Sequence, residues 1–313
     1  MRIVFMGTPD FAVPSLRALV DAGHEICGVF TQPDKPKDRG MKLQQSPVKE
    51  YALSIGAKVY QPSKMRDGEA LSIVRELEPE LVVVAAYGKL LPPDILAVPR
   101  LGCINVHSSL LPKYRGAAPI NWAILNGEDR TGVTIMYMAE GMDTGDILSQ
   151  AAIPIDLDED ALRLFGRLAE LGAELLVETI GRLEAGTIEA VPQDESRSSH
   201  APMLSRELSP MDWSRTARQL HDQVRGLRPW PGAAAVLNGA RCKILRTALA
   251  AETTKEVPGT VVQADKKGMK VACGDGGVLE LLELQPDGKK AMTAAAFLMG
   301  RPIPVGTVLT KQE

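Results

Sequence analysis

Aromatic residues are scarce in this chain: five Phe, five Tyr and three Trp make up 4% of 313 residues. A ligand held mainly on aromatic platforms is disfavoured by that count. Cysteine is equally sparse. Cys27, Cys103, Cys242 and Cys273 are widely scattered with no CxxC pair, which excludes the usual zinc spacing and a disulfide framework. The expectation is four buried thiols in a reducing, cytoplasmic setting, and no metal. The longest apolar run, Leu81–Ala86, falls far short of the roughly 20 residues that span a bilayer. The opening Met1–Asp10 reads as strand and turn, with no long apolar region and no small-residue cleavage site, so no signal peptide is expected. Its turn carries Gly7 alone and no GxGxxG, which disfavours a nicotinamide enzyme.

The composition is otherwise that of a globular protein, 45% hydrophobic and 24% charged, on a length that suits one large or two ordinary domains. The net charge of −3 is unevenly spread. From Leu208 onward there are 15 Lys+Arg against 10 Asp+Glu, a net +5; the residues before it carry 21 against 29, a net −8. A basic C-terminal part on an acidic chain suggests a polyanionic partner for that part.

Hydrophobic periodicity divides the chain. Residues 2–6 form an apolar strand; Phe11, Val13, Leu16, Leu19 and Val20 recur at helical spacing; Glu25–Thr31 is a second strand. This is the start of a doubly wound βαβ sheet. Asp34–Pro47 is a long connection without periodicity, bearing Lys35, Lys37, Arg39 and Lys42 and expected to be mobile. Further helices are expected over 48–54, 67–78, 119–126 and 158–185, and strands over 58–60, 81–86, 132–138 and 146–153. Beyond residue 214 the pattern becomes one helix followed by short strands, with Asn238-Gly239 a strong hairpin signal. The fold expected is therefore α/β: a Rossmann-like open sheet over 1–189, a linker over 190–207, and a small OB-like β-barrel domain over 208–313.

Chemistry concentrates in Leu101–Pro119. Asn105 and His107 are two apart on a strand and so share a face, opposite Ile104 and Val106, at the strand end where open α/β sheets bind ligands. A lone strand histidine is more often structural, but an amide beside it and a Gly/Pro-rich loop after it point to catalysis. Asp143, in the turn Ala139–Asp146, can supply the acid that orients an imidazole, although Asp beside Gly is also an ordinary turn residue. Ser109 lacks the nucleophile elbow Gly-x-Ser-x-Gly, so a loop role is expected for it.

Asn105-x-His107, Ser109-Leu-Leu-Pro112, Arg115-Gly-Ala-Ala-Pro119 and Met142-Asp-Thr-Gly145 together resemble the signature of the 10-formyltetrahydrofolate-dependent formyltransferases. Phe5–Phe11, Phe30–Asp34, Trp230-Pro231, Leu284–Pro286 and Gly288–Lys290 are similar to the members that act on methionyl-initiator tRNA, and the likeness runs end to end. The resemblance implies Asn105, His107 and Asp143 as the catalytic trio. It implies a folate pocket lined by Ser109, Leu110, Leu111 and Pro112 and by the turn from Tyr87 and Gly88 to Pro92. It also implies 10-formyltetrahydrofolate as cosubstrate with no permanently bound cofactor, and a monomer. Arg39, helped by Lys35, Lys37 and Lys42, would contact the tRNA, and the C-terminal domain would help hold it. Relatives that formylate a nucleotide-sugar amine or glycinamide ribonucleotide would share the trio but lack the basic loop and the matching C-terminal part. A folate-binding hydrolase domain is disfavoured for the same reason, and a non-catalytic tRNA-binding module is an alternative from another class, against which an intact trio argues.

Overall fold

The computed structural model describes residues 1–37 and 42–310. These form two compact units, one of 1–119, 131–153 and 165–201, the other of 120–130, 154–164 and 202–313.

In chain order the first unit holds β1 (Arg2–Gly7), α1 (Val13–Asp21), β2 (Glu25–Phe30), β3 (Lys35–Lys37), β4 (Lys42–Gln44), α2 (Pro47–Ser54) and β5 (Val59–Tyr60). Then come α3 (Glu69–Leu77), β6 (Leu81–Ala85), α4 (Pro93–Leu96), β7 (Cys103–His107) and β8 (Arg115–Gly116). Next comes α5 (Pro119–Leu125), which from residue 120 belongs to the second unit; the first then resumes with β9 (Arg130–Tyr137), β10 (Ile147–Pro154), α6 (Ala161–Glu184) and β11 (His200–Ala201).

Seven strands make one open sheet in the order β10-β9-β7-β6-β1-β2-β5. From β7 to β5 every pairing is parallel, whereas β7 pairs β9 antiparallel. Parallel strands covered on both faces read as unbroken apolar runs, and β6 is buried at all five positions. On one face Val4, Met6, Val82, Val84 and Cys103 pack with Ala70 and Val74 of α3 and Ile95 of α4. On the other, Gly172 of α6 lies so close to Val106 that an added Cβ would stand 2.9 Å from its Cγ1. The chain runs outward from β1 through β2 to β5, then returns to build β6 and β7 on β1's other side. That reversal makes a topological switch point at the C-terminal ends of β1 and β6, the position at which doubly wound sheets take ligands. In the connection after β2, β3 and β4 pair antiparallel, from Lys35 opposite Gln44 to Lys37 opposite Lys42.

The second unit contains α7 (Ala217–Gly226), the strands β12 (Ala233–Leu237), β13 (Ala240–Thr253), β14 (Val261–Asp265), β15 (Gly268–Ala272), β16 (Gly277–Pro286) and β17 (Met292–Thr293), and α8 (Ala294–Gly300). Thr216 and Gln219 form a reciprocal capping box that starts α7. The strands form one antiparallel sheet in the order β12-β13-β16-β15-β14, with β17 on β16. Asn238 and Gly239 turn β12 into β13, both in the left-handed region at φ 45° and 71°, as a tight hairpin of this type demands. Trp213, Leu220, Ile244, Leu279, Leu281 and Phe297 lie in its core. The helix at 294–300 was absent from the sequence expectations; Thr293 caps it by accepting from the Ala296 N–H.

Candidate active site

β7 carries two of the three expected catalytic side chains. Alternation turns Ile104 and Val106 to one face and Asn105 and His107 to the other. Asn105 is half-buried between Val84 of β6 and Met136 of β9, and among the described residues its side-chain amide has no hydrogen-bond partner. His107, the last residue of β7, is 6% exposed. Its Nε2 lies 3.0 Å from the carbonyl oxygen of Tyr114. A carbonyl only accepts, so Nε2 carries the hydrogen and Nδ1 is the nitrogen free for other work.

Nδ1 faces Asp143, whose Oδ2 is 3.6 Å away, an ion-pair distance longer than a hydrogen bond. The carboxylate is held elsewhere: Oδ2 accepts from the Gly116 N–H at 2.8 Å. Asp143 sits in the left-handed region at φ 54°, a conformation Asp tolerates better than most residues. Its turn is confined by Gly145, where a Cβ would fall 1.8 Å from the Tyr137 carbonyl oxygen and so cannot be accommodated.

The loop after β7 is fixed by its own polar groups. The Ser109 Oγ–H donates to the Lys113 carbonyl at 2.6 Å, and the fully buried side chain is committed to the loop rather than offered as a nucleophile. The Leu111 N–H donates to Thr134 Oγ1, and the Leu111 carbonyl accepts from Gln150 Nε2. Of the four residues expected to line a folate pocket here, Ser109 and Leu111 turn their side chains inward, while Leu110 and Pro112 are half-buried. Leu110 covers Gly132, where any added Cβ would be 2.6 Å from its Cδ2.

The turn after β6 opens onto the same sheet edge, beside β1. Tyr87 is 1% exposed, and its hydroxyl donates to the Met65 sulfur at 3.3 Å. Burial pushes that hydroxyl up to about 12. Its ring therefore belongs to the core; the site-facing part of Tyr87 is the backbone, whose carbonyl accepts from Thr8 Oγ1 and Gln32 Nε2. Gly88, at φ 79°, and Leu90 are exposed. Arg39 lies outside the described residues, as do the side chains of Lys35, Lys37 and Lys42.

Sequence reasoning overlooked the stretch 191–201, read as linker. β11 pairs parallel with β8, the Arg115 N–H donates to the Ser199 carbonyl, and the Tyr114 N–H donates to Ser199 Oγ. Arg115, 8% exposed, makes two hydrogen bonds to Glu195, at 2.8 and 2.7 Å, and two to Gln193. The guanidinium holds the Glu195 carboxyl below the usual range, but Glu195 is 69% exposed and water screens the pair. The only sequence signal was the lack of apolar periodicity, which a strap and a free linker share.

A family described as Formyl transferase matches residues 1–180, and the family Formyl transferase, C-terminal domain, matches 203–302. The chain belongs to the formyl transferase family. Among curated relatives of this formyl transferase, a methionyl-tRNA formyltransferase of Pelobacter propionicus is 52% identical over 98% of this chain and 95% of its own. One of Geobacter sulfurreducens is 48% identical over 99% of this chain and 96% of its own. Among solved structures, an N-formyltransferase of Helicobacter canadensis in complex with folinic acid and dTDP-3-aminofucose superposes with a TM-score of 0.70. It is 22% identical, over 91% of this chain and 98% of that one. HypX of Aquifex aeolicus, in complex with tetrahydrofolic acid, gives a TM-score of 0.61 at 18% identity, over 100% of this chain and 51% of that one. At such identities these two establish the fold alone. No described helix is long and apolar enough to cross a membrane.

Proposed function

We propose that this formyl transferase moves the formyl group of 10-formyltetrahydrofolate onto the α-amino group of methionyl-initiator tRNA, giving N-formylmethionyl-tRNA for translation initiation. The observation that carries this reading is the end-to-end likeness to relatives of that name, at about half identity and including the C-terminal family region. The trio's chemistry alone would serve any amine. The protein works as a monomer in the cytoplasm, where its charged tRNA is made.

The amine nitrogen attacks the formyl carbon; a tetrahedral oxyanion forms; the bond from that carbon to N10 breaks as N10 gains a proton. A free α-amine titrates near about 7.7–8.0 and a neighbouring ester lowers it, so much of it is neutral and nucleophilic at pH 7. The difficulty lies in the oxyanion and in the proton. Asn105 supplies the oxyanion donor from an amide that no other described residue engages, a contribution of about 3–4 kcal/mol. His107 exchanges the proton through Nδ1, since the Tyr114 carbonyl occupies Nε2. Asp143, facing Nδ1, keeps the ring turned toward the reacting nitrogens. Ser109 stays out of the reaction, so transfer is direct and needs no acyl-enzyme. The exposed turn at Gly88–Leu90 and the half-buried Leu110 and Pro112 line the pocket for the folate ring system, and Arg39 with Lys35, Lys37 and Lys42 contacts the acceptor stem.

The test is formylation with 10-formyltetrahydrofolate and three acceptors: methionyl-initiator tRNA, methionyl-elongator tRNA, and an amino sugar linked to a nucleotide. Rapid transfer to the first alone is expected. Preference for the amino sugar would overturn the reading.

A further inference from the structure

Gln193 uses every hydrogen-bonding position of its amide. Its Oε1 accepts from Arg115 Nε at 3.0 Å and Nη2 at 2.8 Å. Its Nε2 donates to the carbonyl of Asp143 at 2.8 Å and to that of Gly145 at 2.7 Å. The side chain thus joins Arg115 to the turn that carries the carboxylate. That turn is otherwise weakly held. Residues 139–142 are exposed, Met142 is 50% exposed, and Asp143 has left-handed backbone.

Asp143 is tied twice to one two-residue strand. Its carboxylate accepts from the Gly116 N–H, and its own carbonyl reaches Arg115 through Gln193. These links close a ring, so the carboxylate cannot shift relative to His107 without breaking one of them. We propose that Gln193 is the positioning residue of Asp143, and that the segment read as a linker is a working part of the active site. The inference rests on the catalytic role proposed for Asp143. Glu195 cannot substitute: it meets Arg115 but has no hydrogen bond to the turn. The job needs a donor and an acceptor on one planar head. A carboxylate would keep Arg115 and set an oxygen against two carbonyls, while a thioether of similar length would lose both ends.

The experiment uses Gln193→Glu and Gln193→Met in the full chain, measuring formylation together with amide hydrogen exchange across 139–146. Displacing a catalytic group by about 1 Å is typically worth a hundredfold, so kcat is expected to fall about ten- to a hundredfold in both variants. KM for 10-formyltetrahydrofolate should stay within about twofold, because the folate loops do not touch Gln193. Exchange at 141–145 should quicken. Adding Gln193→Met to Asp143→Asn should change kcat by no more than about twofold, because the group being positioned is gone. Wild-type kcat in both variants, an equal loss in the Asp143→Asn background, or unchanged exchange would each overturn the inference. If Gln193→Met does not fold, Gln193→Glu, which retains the Arg115 bonds, answers the same questions. A wild-type chain that formylates no charged tRNA would refute the proposed function instead, and the exchange measurement would still decide the clamp.

Discussion

Replacing Asp143 by Asn changes little in shape and removes one charge from the centre of the site. The new side chain can still accept from the Gly116 N–H through its oxygen, as the carboxylate does at 2.8 Å. That same oxygen stands 3.6 Å from His107 Nδ1, so what faces the ring becomes a neutral amide oxygen in place of a charged one. Nε2 keeps its hydrogen on the Tyr114 carbonyl, so a proton that reaches Nδ1 during the reaction meets an acceptor without charge. A unit charge at that distance interacts with an imidazolium by about 4–5 kcal/mol at an effective dielectric near 20. The dipole of the amide oxygen recovers part of this, which leaves about 3–4 kcal/mol, or a loss of roughly 10² to 10³ in kcat/KM. The assay is formylation of methionyl-initiator tRNA at saturating folate, run from pH 5.5 to 8.5, alongside His107→Gln and the double variant. Because both groups act through one ring, the double variant should be little worse than either single one. An Asp143→Asn enzyme within fivefold of wild type, or strictly multiplicative losses in the double variant, would refute the orienting role.

Asn105→Ala should lower kcat/KM at least about a hundredfold with folate affinity preserved, since it removes an oxyanion donor and no structural hydrogen bond; a loss of affinity without a loss of rate would contradict that role. Arg39→Ala should sharply reduce formylation of charged tRNA and Arg39→Lys should restore it in part, because a guanidinium fork engages phosphate in a way an ammonium does not; near-normal rates for Arg39→Ala would dismiss the contact. In the second unit His221 is 3% exposed, with Nε2 on the Leu157 carbonyl and Nδ1 on the Thr247 hydroxyl. Burial above all pushes this ring down from the usual histidine range; the Leu157 bond opposes it, Arg225 adds to it, and Asp222 and Asp158 oppose it. The folded chain therefore binds that proton less tightly than the unfolded one. Its stabilising effect is complete above about pH 6.5 and is lost as pH falls below that toward the folded value. Melting should thus shift down on going from pH 7.5 to 5.5, and less steeply in His221→Gln; identical slopes would refute the assignment.

Much of the site was legible because it is local. A period of two places Asn105 and His107 on one face whatever the strand's neighbours are, and apolar runs announce strands buried on both sides. Asn238-Gly239 makes its hairpin from backbone preference alone, without help from the core. Whether a residue that no period constrains faces the site or the core is not written locally. Tyr87 was read into the pocket, yet its ring enters the core beside Met65 while its backbone stays at the edge. Polar stretches with proline and serine look alike whether they are free or strapped down, so 191–201 passed as linker although it pairs with Arg115 and Gly116.

By itself, then, the sequence determined the alternation of strands and helices, the shared face of the amide and the imidazole, and the likeness to one family. Tertiary structure alone brought Asp143 to His107 across 36 positions, put the switch point of the sheet between β1 and β6, and set Gln193 between Arg115 and the acid's turn. Local preferences have a range of a few residues. Pairings between distant segments are chosen by which surfaces exclude water together, and only the packed chain makes that choice.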